Sequence, residues 1–472
     1  MGKARLKHAV LRYPPFSTHA LQLCARNDAD QSGGAFPRQA RFAAADQAPP
    51  VRWVFEDASV RMAAPGAAAQ RSRAALVDAF LAPVLHTLRA HAEVHTYVMC
   101  FDKPAYVPTR KQPLQRARDA ALRAGAAATA AAVATAAAAN NNDDDDDDDD
   151  GPQHACTLAW LAAGDAATNV PLPDWRWLRA RRALYARGID RLARDLAVAA
   201  AARLPPGRRL VIDWQRDGGG GGGAPATLAP LVVRGGDGGH YDETLRNAHG
   251  EADVCAQHYA DAATRRGDSI VLRTVDTDYV AIAMLHHEQR ACTRARAPEL
   301  AAPAALGNVY VALGTAAVRR DDGSYCTHAH ECALLCHELY DVRALCRVVR
   351  RAYAAPPACF AAFCVASGND YVTAPRGGHR RLFAAWCALH QRRVGALLAD
   401  AAHRDGDGRC MTLHRRWHVL PGALAAWLRA AAGGRRRGGG RAPPLSAFGL
   451  RPSPRAYYES VVWALEYAAP RR

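Results

Sequence analysis

The chain has 472 residues, half of them hydrophobic, and carries a formal net charge of +16 at pH 7. This length allows a large core in one or two domains, and no apolar run is long enough to span a bilayer, so we expect no membrane partner. The positive charge favours a polyanionic partner, with nucleic acid as the first candidate. All but four of the 61 basic residues are arginine, however, which is also typical of a GC-rich coding bias.

The thirteen cysteines are scattered along the chain, with no Cys-x-x-Cys pair and no secretory leader. Such a set is typical of reduced thiols rather than of a disulfide framework. We therefore expect an intracellular protein, which would be nuclear in a eukaryote.

The chain begins with about 50 polar, poorly patterned residues, and two predicted strands that each end in an acid come after them. Residues 51–59 predict a strand ending at Asp57, residues 67–92 predict a helix, and residues 95–102 predict a strand ending at Asp102. This order predicts a βαβ unit, which brings both carboxylates to one edge of a parallel sheet.

A basic segment comes directly after the second strand. Its cations are Lys103, Arg110, Lys111, Arg116, Arg118 and Arg123. A helix beginning near Pro113 would place several of them on one face, which is either a solvated surface or a phosphate-binding surface. Residues 124–150 are polyalanine followed by Asn and Asp runs. Since such a segment cannot bury enough apolar area to order itself, we expect a flexible insert.

A helix and a third strand are predicted next. Asp174 is a candidate N-cap for a long basic helix, in which Trp175 and Trp177 either pack in the core or stack on bases. Residues 209–214 predict the strand, and the glycines at 218–223 predict a linker, because they lack the strand-to-helix setting of a phosphate loop.

Four further acids flank predicted elements. Glu251 and Asp253 precede a helix from residue 254, while Asp276 and Asp278 follow a strand at residues 269–275. Open α/β sheets bind their ligands at the carboxyl ends of strands. Carboxylates gathered there repel one another unless a cation lies between them, and oxygen donors favour Mg²⁺ or Mn²⁺. The alternative is that these acids occupy ordinary exposed turns.

The last third of the chain begins with a segment rich in Cys and His, residues 285–360. A structural zinc site is an alternative there, but the spacing fits no zinc finger, and residues 332–339 more simply predict a helix. An apolar helix then ends at Gly368 and is followed by Asp370, and residues 376–472 predict a helical region with an Arg/Gly run.

The acids, taken in this order, resemble the motifs of the flap endonuclease/XPG superfamily of metal-dependent 5′ nucleases. Asp57-Ala58-Ser59 and Phe101-Asp102-Lys103-Pro104 resemble its first two strand-end aspartates, and Lys111 and Arg118 resemble the basic base of its arch. Glu251-Ala252-Asp253 is similar to its Glu-Ala-Glu pair with Asp for the second Glu, Asp276-Thr277-Asp278 to its Asp-x-Asp pair, and Gly368-Asn369-Asp370-Tyr371 to its Gly-x-Asp-Tyr motif. The resemblance covers residues 51–120 and 230–375.

The resemblance implies an α/β fold with a PIN-like twisted, mainly parallel central sheet flanked by helices, with low-complexity insertions and a helical C-terminal region. It divides the chain into an N-terminal part of the nuclease core (1–123), a low-complexity insert with an arch-like helical region (124–229), an internal part of the core (230–375) and a helical C-terminal region (376–472).

The resemblance also implies phosphodiester hydrolysis with two Mg²⁺ or Mn²⁺ ions. The first ion would be held by Asp57, Asp102, Glu251 and Asp253, and the second by Asp276, Asp278 and Asp370. Lys111 and Arg118 would be catalytic, because they would polarise the scissile phosphate.

The expected function is that of a structure-selective 5′ nuclease for flap or branched DNA, of the kind that acts in replication and repair. Two alternatives stay open. One is a catalytically silent PIN-like scaffold that binds nucleic acid or protein. The other is a 5′→3′ exoribonuclease-like enzyme acting on RNA, because residues 457–467 are similar to a closing helix of those relatives.

Overall fold

The structure of the protein is a computed structural model that describes residues 51–59, 72–103, 151–162, 178, 181–214, 228–274, 276, 278–296, 307–314, 337–353, 357 and 364. Within these residues the protein is α/β, and eight strands in a mixed, mostly parallel arrangement are flanked by α-helices. The described chain forms two compact units, one within residues 51–259 and the other within residues 260–313 and 337–472.

The first unit contains five strands. They are β1 (Val51–Asp57), β2 (Thr96–Cys100), β3 (Arg209–Asp213), β4 (Leu231–Arg234) and β5 (His240–Tyr241). Their order is β5-β4-β3-β2-β1; β2 is parallel to β1 and β3, whereas β4 is antiparallel to its neighbours β3 and β5. Asp57 lies opposite Cys100, and Cys100 lies opposite Asp213, so the three parallel strands end together at one edge.

Four helices accompany these strands in the described residues. They are α1 (Arg73–Ala90), α2 (Gly151–Ala162), α3 (Arg182–Arg203) and α4 (Ala252–Arg265), and the boundary between the units falls at residue 260 within α4. Helix α1 begins after Ser72, whose Oγ accepts a hydrogen bond from the Ala75 N–H, as a Ser N-cap does. Its apolar stripe is buried, and the Phe80 ring stacks 6.1 Å from the Phe101 ring just beyond β2. All five residues of β2 are buried, as expected for a parallel strand covered on both faces.

The second unit contains β6 (Ser269–Thr274), α5 (Asp278–Arg296), β7 (Val309–Gly314), β8 (His337–Asp341) and α6 (Val342–Tyr353). The strand order is β6-β7-β8, and β6 and β7 are parallel with Ile270 opposite Val309. Just before β7 the backbone passes so close to β6 that a Cβ on Gly307 would overlap the carbonyl oxygen of Asp268. Only glycine allows that approach.

Much of the element prediction is confirmed. The predicted strands at 51–59, 95–102, 209–214 and 269–275 correspond to β1, β2, β3 and β6, and the predicted helices at 67–92 and from residue 254 correspond to α1 and α4. The bounds differ by a few residues, because caps such as Ser72 rather than apolar periodicity set where a helix begins.

The predicted helix at residues 332–339 is wrong for residues 337–339, because His337 already belongs to β8, and residues 332–336 lie outside the described ranges. Helix α6 begins only at Val342, after Asp341, whose Oδ1 accepts a 2.9 Å hydrogen bond from the Ala344 N–H. An aspartate that caps a helix in this way fixes its first turn, and the residues before it are therefore free to be extended.

Several predictions concern residues outside the described ranges. They are the stretch 1–50, the basic helix near Pro113, the insert at 124–150, the residues Asp174, Trp175 and Trp177, the linker at 218–223 and the region 376–472. The domain boundaries inferred from the resemblance stay predictions. No helix in the described part of the chain is long and apolar enough to cross a membrane.

Candidate functional site

Hydrogen bonds join the ends of β1 and β2. Asp57 is the last residue of β1, and its Oδ1 accepts a 3.1 Å hydrogen bond from the Ser59 N–H. The Ser59 Oγ in turn accepts a 2.8 Å hydrogen bond from the N–H of Asp102, two residues beyond β2. Ser59 therefore bridges the two aspartates, and both of their side chains are half-buried.

Asp102 also reaches the beginning of α4. Its Oδ1 accepts a 3.1 Å hydrogen bond from the N–H of Ala252, the first residue of that helix. A carboxylate at a helix N-terminus is stabilised by the helix dipole and by the otherwise unsatisfied N–H groups. A second link holds the same segment, because the Lys103 N–H donates to the Gly250 carbonyl at 2.8 Å.

Glu251 and Asp253 flank the residue that Asp102 contacts. Glu251 is buried, with 5% of its surface exposed, whereas Asp253 is half-buried and accepts a 2.7 Å hydrogen bond from the Val254 N–H. The structure thus brings the segments of Asp57, Asp102, Glu251 and Asp253 together. It does not gather three of their carboxylates closely: among the described residues, the one group of three possible ligands within 4.8 Å of one another is Cys100, Asp213 and Cys255.

This second group contains Asp213, the last residue of β3, which forms a buried ion pair with Lys103. Asp213 is 0% exposed, and its Oδ1 lies 2.7 Å from the Lys103 Nζ. Its Oδ2 accepts hydrogen bonds of 2.9 Å from the Asn247 Nδ2 and from the Tyr259 hydroxyl. Lys103 also donates from Nζ to the Asn247 Oδ1 at 2.9 Å and to the Asn247 carbonyl at 3.2 Å. The ammonium therefore donates to two oxygens of Asn247 and forms an ion pair with Asp213.

Two cysteines and an aspartate could in principle hold zinc, but the surroundings oppose it. Zinc binding requires thiolates, whereas burial raises the pKa of the Cys100 thiol, with the neighbouring Cys255 and Asp213 adding to the effect. Lys103 already supplies the positive charge that Asp213 requires. A zinc ion would add two more positive charges beside a buried ammonium, so the cluster does not fit this metal.

The same interior shifts two further pKa values. Burial by itself lowers the pKa of Lys103, but the Asp213 carboxylate, together with the nearby Cys255 and Cys100, more than offsets this, and the net shift is upward. Burial raises the pKa of Tyr259, and the Asp213 charge raises it further. Near neutral pH the group is therefore a charged lysine with a neutral tyrosine. Lys103, which the sequence grouped with phosphate-binding cations, is fully buried and does not belong to that surface.

In the second unit, Asp276 lies between β6 and α5, and Asp278 is the first residue of α5. The Asp276 N–H donates to the Thr274 Oγ1 at 2.9 Å, and the Asp276 Oδ1 accepts a 3.1 Å hydrogen bond from the N–H of Asp278, which begins α5. Both side chains are half-buried. Burial raises the pKa of the Cys364 thiol, and the charge of Asp278 contributes to the shift.

Sequence reasoning missed Asp213 and Asn247. The signal for Asp213 was present, because it ends an apolar strand just as Asp57 does. No local sequence pattern identifies Asn247, which contacts Lys103 although the two residues are 144 positions apart in the chain. The predicted site residues Lys111, Arg118 and Asp370 lie outside the described residues.

The fold, the linked acids Asp57 and Asp102 and the buried group around Asp213 define an α/β protein with acids at adjacent strand ends. No known protein-family model matches the chain. A search of curated protein sequences likewise finds no significant match.

Proposed function

We propose that this protein is a metal-dependent phosphodiesterase of nucleic acids, specifically a structure-selective 5′ nuclease for flap or branched DNA. The observation that supports it best is the hydrogen-bonded series Asp57–Ser59–Asp102–Ala252, which links two strand ends and a helix N-terminus through acids. The net charge of +16 agrees with a polyanionic substrate.

The oxygen donors at these two strand ends and at the beginning of α4 suit a hard cation. Asp57, Asp102, Glu251 and Asp253 offer only carboxylate oxygens, the ligands preferred by Mg²⁺ and Mn²⁺. The buried group around Asp213 contains thiols and its own ammonium, so the two neighbouring groups differ in the cation they suit. The resemblance adds Asp276, Asp278 and Asp370 as ligands of a second ion.

A bound divalent ion would lower the pKa of a ligated water and stabilise charge on the phosphate. The chain's own contribution is to hold the oxygen donors in place. Ser59 fixes the spacing between Asp57 and Asp102, and the N–H groups that donate to both carboxylates orient their Oδ1 atoms. The two carboxylates would then supply oxygen ligands to the ion. In this proposal Lys111 and Arg118 bind the scissile phosphate.

The proposal is tested by incubating the purified full chain with end-labelled flap DNA, nicked duplex and single-stranded RNA, with Mg²⁺ and with EDTA. We expect Mg²⁺-dependent cleavage of the flap, and its loss in Asp102→Asn. The matched control is Asp237→Asn, which changes an exposed aspartate in the turn after β4. Cleavage that persists in EDTA, or equal activity of both variants, would contradict the proposal. Cleavage of RNA alone would favour the exoribonuclease-like alternative.

One observation favours a second candidate, a catalytically silent nucleic-acid-binding scaffold. Among the described residues, no three carboxylates bring their oxygens within 4.8 Å of one another. Binding to flap DNA with an unchanged Kd in EDTA and no cleavage in any divalent metal would support that candidate.

A further inference from the structure

The buried ion pair at the end of β3 contacts both segments that carry the proposed metal ligands. Lys103 directly follows Asp102, and Asp213 accepts a hydrogen bond from Tyr259, two turns along the helix that begins beside Glu251. We infer that the Lys103–Asp213 pair is a positioning element, which sets the distance between Asp102 and the Glu251–Asp253 segment and so tunes the affinity for a divalent cation. This inference rests on the proposed function.

Residue 103 holds the loop before α4 at three points. Its N–H donates to the Gly250 carbonyl at 2.8 Å, and its Nζ donates to the side chain and to the carbonyl of Asn247 at 2.9 and 3.2 Å. Because the side chain is 0% exposed and carries a charge, it cannot move away without leaving Asp213 unpaired. The loop that delivers Glu251 is therefore fixed to the end of β2.

Asp213 holds the helix as well as the loop. Asp213 accepts hydrogen bonds from Tyr259 on α4 and from Asn247 in the loop, so one carboxylate links both to the end of β3. The Sγ of Cys255, on the same helix, lies 3.2 Å from the Asn247 Oδ1. Asp102 then meets α4 at Ala252. A shift of Lys103 or Asp213 would move the acids on α4 relative to Asp102.

Groups that orient ligands without touching the ion change metal affinity by about 10–100-fold when they are replaced. We therefore expect the apparent Kd for Mn²⁺, measured by the electron paramagnetic resonance of the free ion, to rise at least about tenfold in Lys103→Met. Asp213→Asn, which keeps the side-chain shape and one acceptor oxygen, should shift the Kd in the same direction by less. Both measurements are made well below the Tm of each variant.

The chain offers a matched control in another buried ion pair of the same unit. Arg73 on α1 pairs with Asp195 on α3, and their side chains are 8% and 6% exposed. Arg73→Met removes a buried cation and should lower the Tm, as Lys103→Met does, but it should leave the Kd for Mn²⁺ unchanged. An equal rise in both variants would show that loss of stability alone weakens binding, and the inference would then be wrong.

The remaining outcomes separate this inference from the proposed function. If Mn²⁺ binds the parent and is lost in Asp102→Asn, but Lys103→Met and Asp213→Asn bind it with the parent's Kd, the function stands and the positioning role is refuted. If the parent binds no Mn²⁺, or if Asp102→Asn binds it unchanged, both the metal site and its positioning element are refuted.

Discussion

Three neighbouring strands each have an acid at or just beyond their carboxyl end, yet these acids have different surroundings. Asp213 is fully buried and has a lysine 2.7 Å away, whereas Asp57 and Asp102 are half-buried and accept hydrogen bonds from backbone N–H groups. Asp213 therefore has its counter-charge, the Lys103 ammonium, inside the protein core. A strand-end aspartate in this protein is therefore either part of the core or a candidate ligand, and the two kinds differ in burial.

The largest effect should come from breaking the interior pair. Lys103→Met leaves the Asp213 carboxylate buried without its counter-charge, which costs about 3–5 kcal/mol of unfolding free energy. Urea denaturation followed by circular dichroism measures this loss. Asp102→Asn, at a half-buried site, should change stability by less than about 1 kcal/mol.

A double variant sharpens that prediction. Lys103→Met/Asp213→Asn leaves no charge unpaired at the site, so it should be more stable than Lys103→Met alone. If the double variant loses the sum of the two single effects, the pair is not coupled and the contrast with the outer acids does not hold.

The second prediction concerns cleavage and depends on the proposed function. Asp57→Asn and Asp102→Asn should each lower the single-turnover rate on flap DNA by at least about 100-fold, which corresponds to about 2.7 kcal/mol of barrier. Because Ser59 links the two acids, we expect them to act as a unit, and the double variant should be little slower than either single variant. Strictly multiplicative losses would mean that the two acids act separately.

The third prediction is an alkaline loss of stability that originates in the interior group. Burial raises the pKa of Cys100, and the pKa values of Tyr259 and Lys103 also lie above their ordinary values. Above an unfolded thiol pKa of about 8.5, and again above about 10 for tyrosine and lysine, the unfolded chain loses protons that the folded chain keeps. Stability should therefore be unaffected by these groups below about pH 8 and should fall as the pH rises further.

Cys100→Ala tests the origin of the first part of this fall. Without this thiol, the decline between about pH 8 and pH 10, measured by urea denaturation at a series of pH values, should be shallower, and the part that remains is expected from Cys364, whose pKa is also raised by burial. A decline with the parent's slope in this range would mean that Cys100 does not contribute to it.

The smallest effect concerns the basic residues after β2. Because Lys103 is buried, the proposed phosphate contacts of that segment would come from later cations. Replacing both Lys111 and Arg118 with Ala should reduce the slope of log K against log salt by about 2 for duplex DNA. The control is Arg234→Ala, which removes an exposed arginine from β4. A slope that matches the parent's in the double variant would remove these residues from the interface.

The sequence predicted four of the strands well because each is a short apolar run that stops at or just before an acid, whereas β7, which ends at Gly314, was not predicted. That pattern located β1, β2, β3 and β6, and it also identified Asp57 and Asp102 as neighbours at one edge of the first unit. The pattern is local, and a strand with both faces buried leaves a clear signature in the sequence.

The remainder could not be predicted because it depends on long-range contacts. Lys103 belongs to a run of basic residues in the sequence, and only its contact with Asp213 on another strand makes it part of the core. Strand β8 was missed for a related reason. Its residues suit a helix as well as a strand, and the Asp341 cap, which also accepts from the buried Asn308 at 2.9 Å, decides where the helix starts.

The close approach at Gly307 limits how the gene for this protein can vary. Every missense change at that codon adds a Cβ that meets the Asp268 backbone, and the Ser269 Oγ and the Ile270 N–H already hold Asn308 beside it at 2.9 Å. At Gly238 a Cβ would meet nothing within 4 Å. In a library of all single substitutions selected for folded protein, residue 307 should remain glycine, whereas residue 238 should accept many side chains.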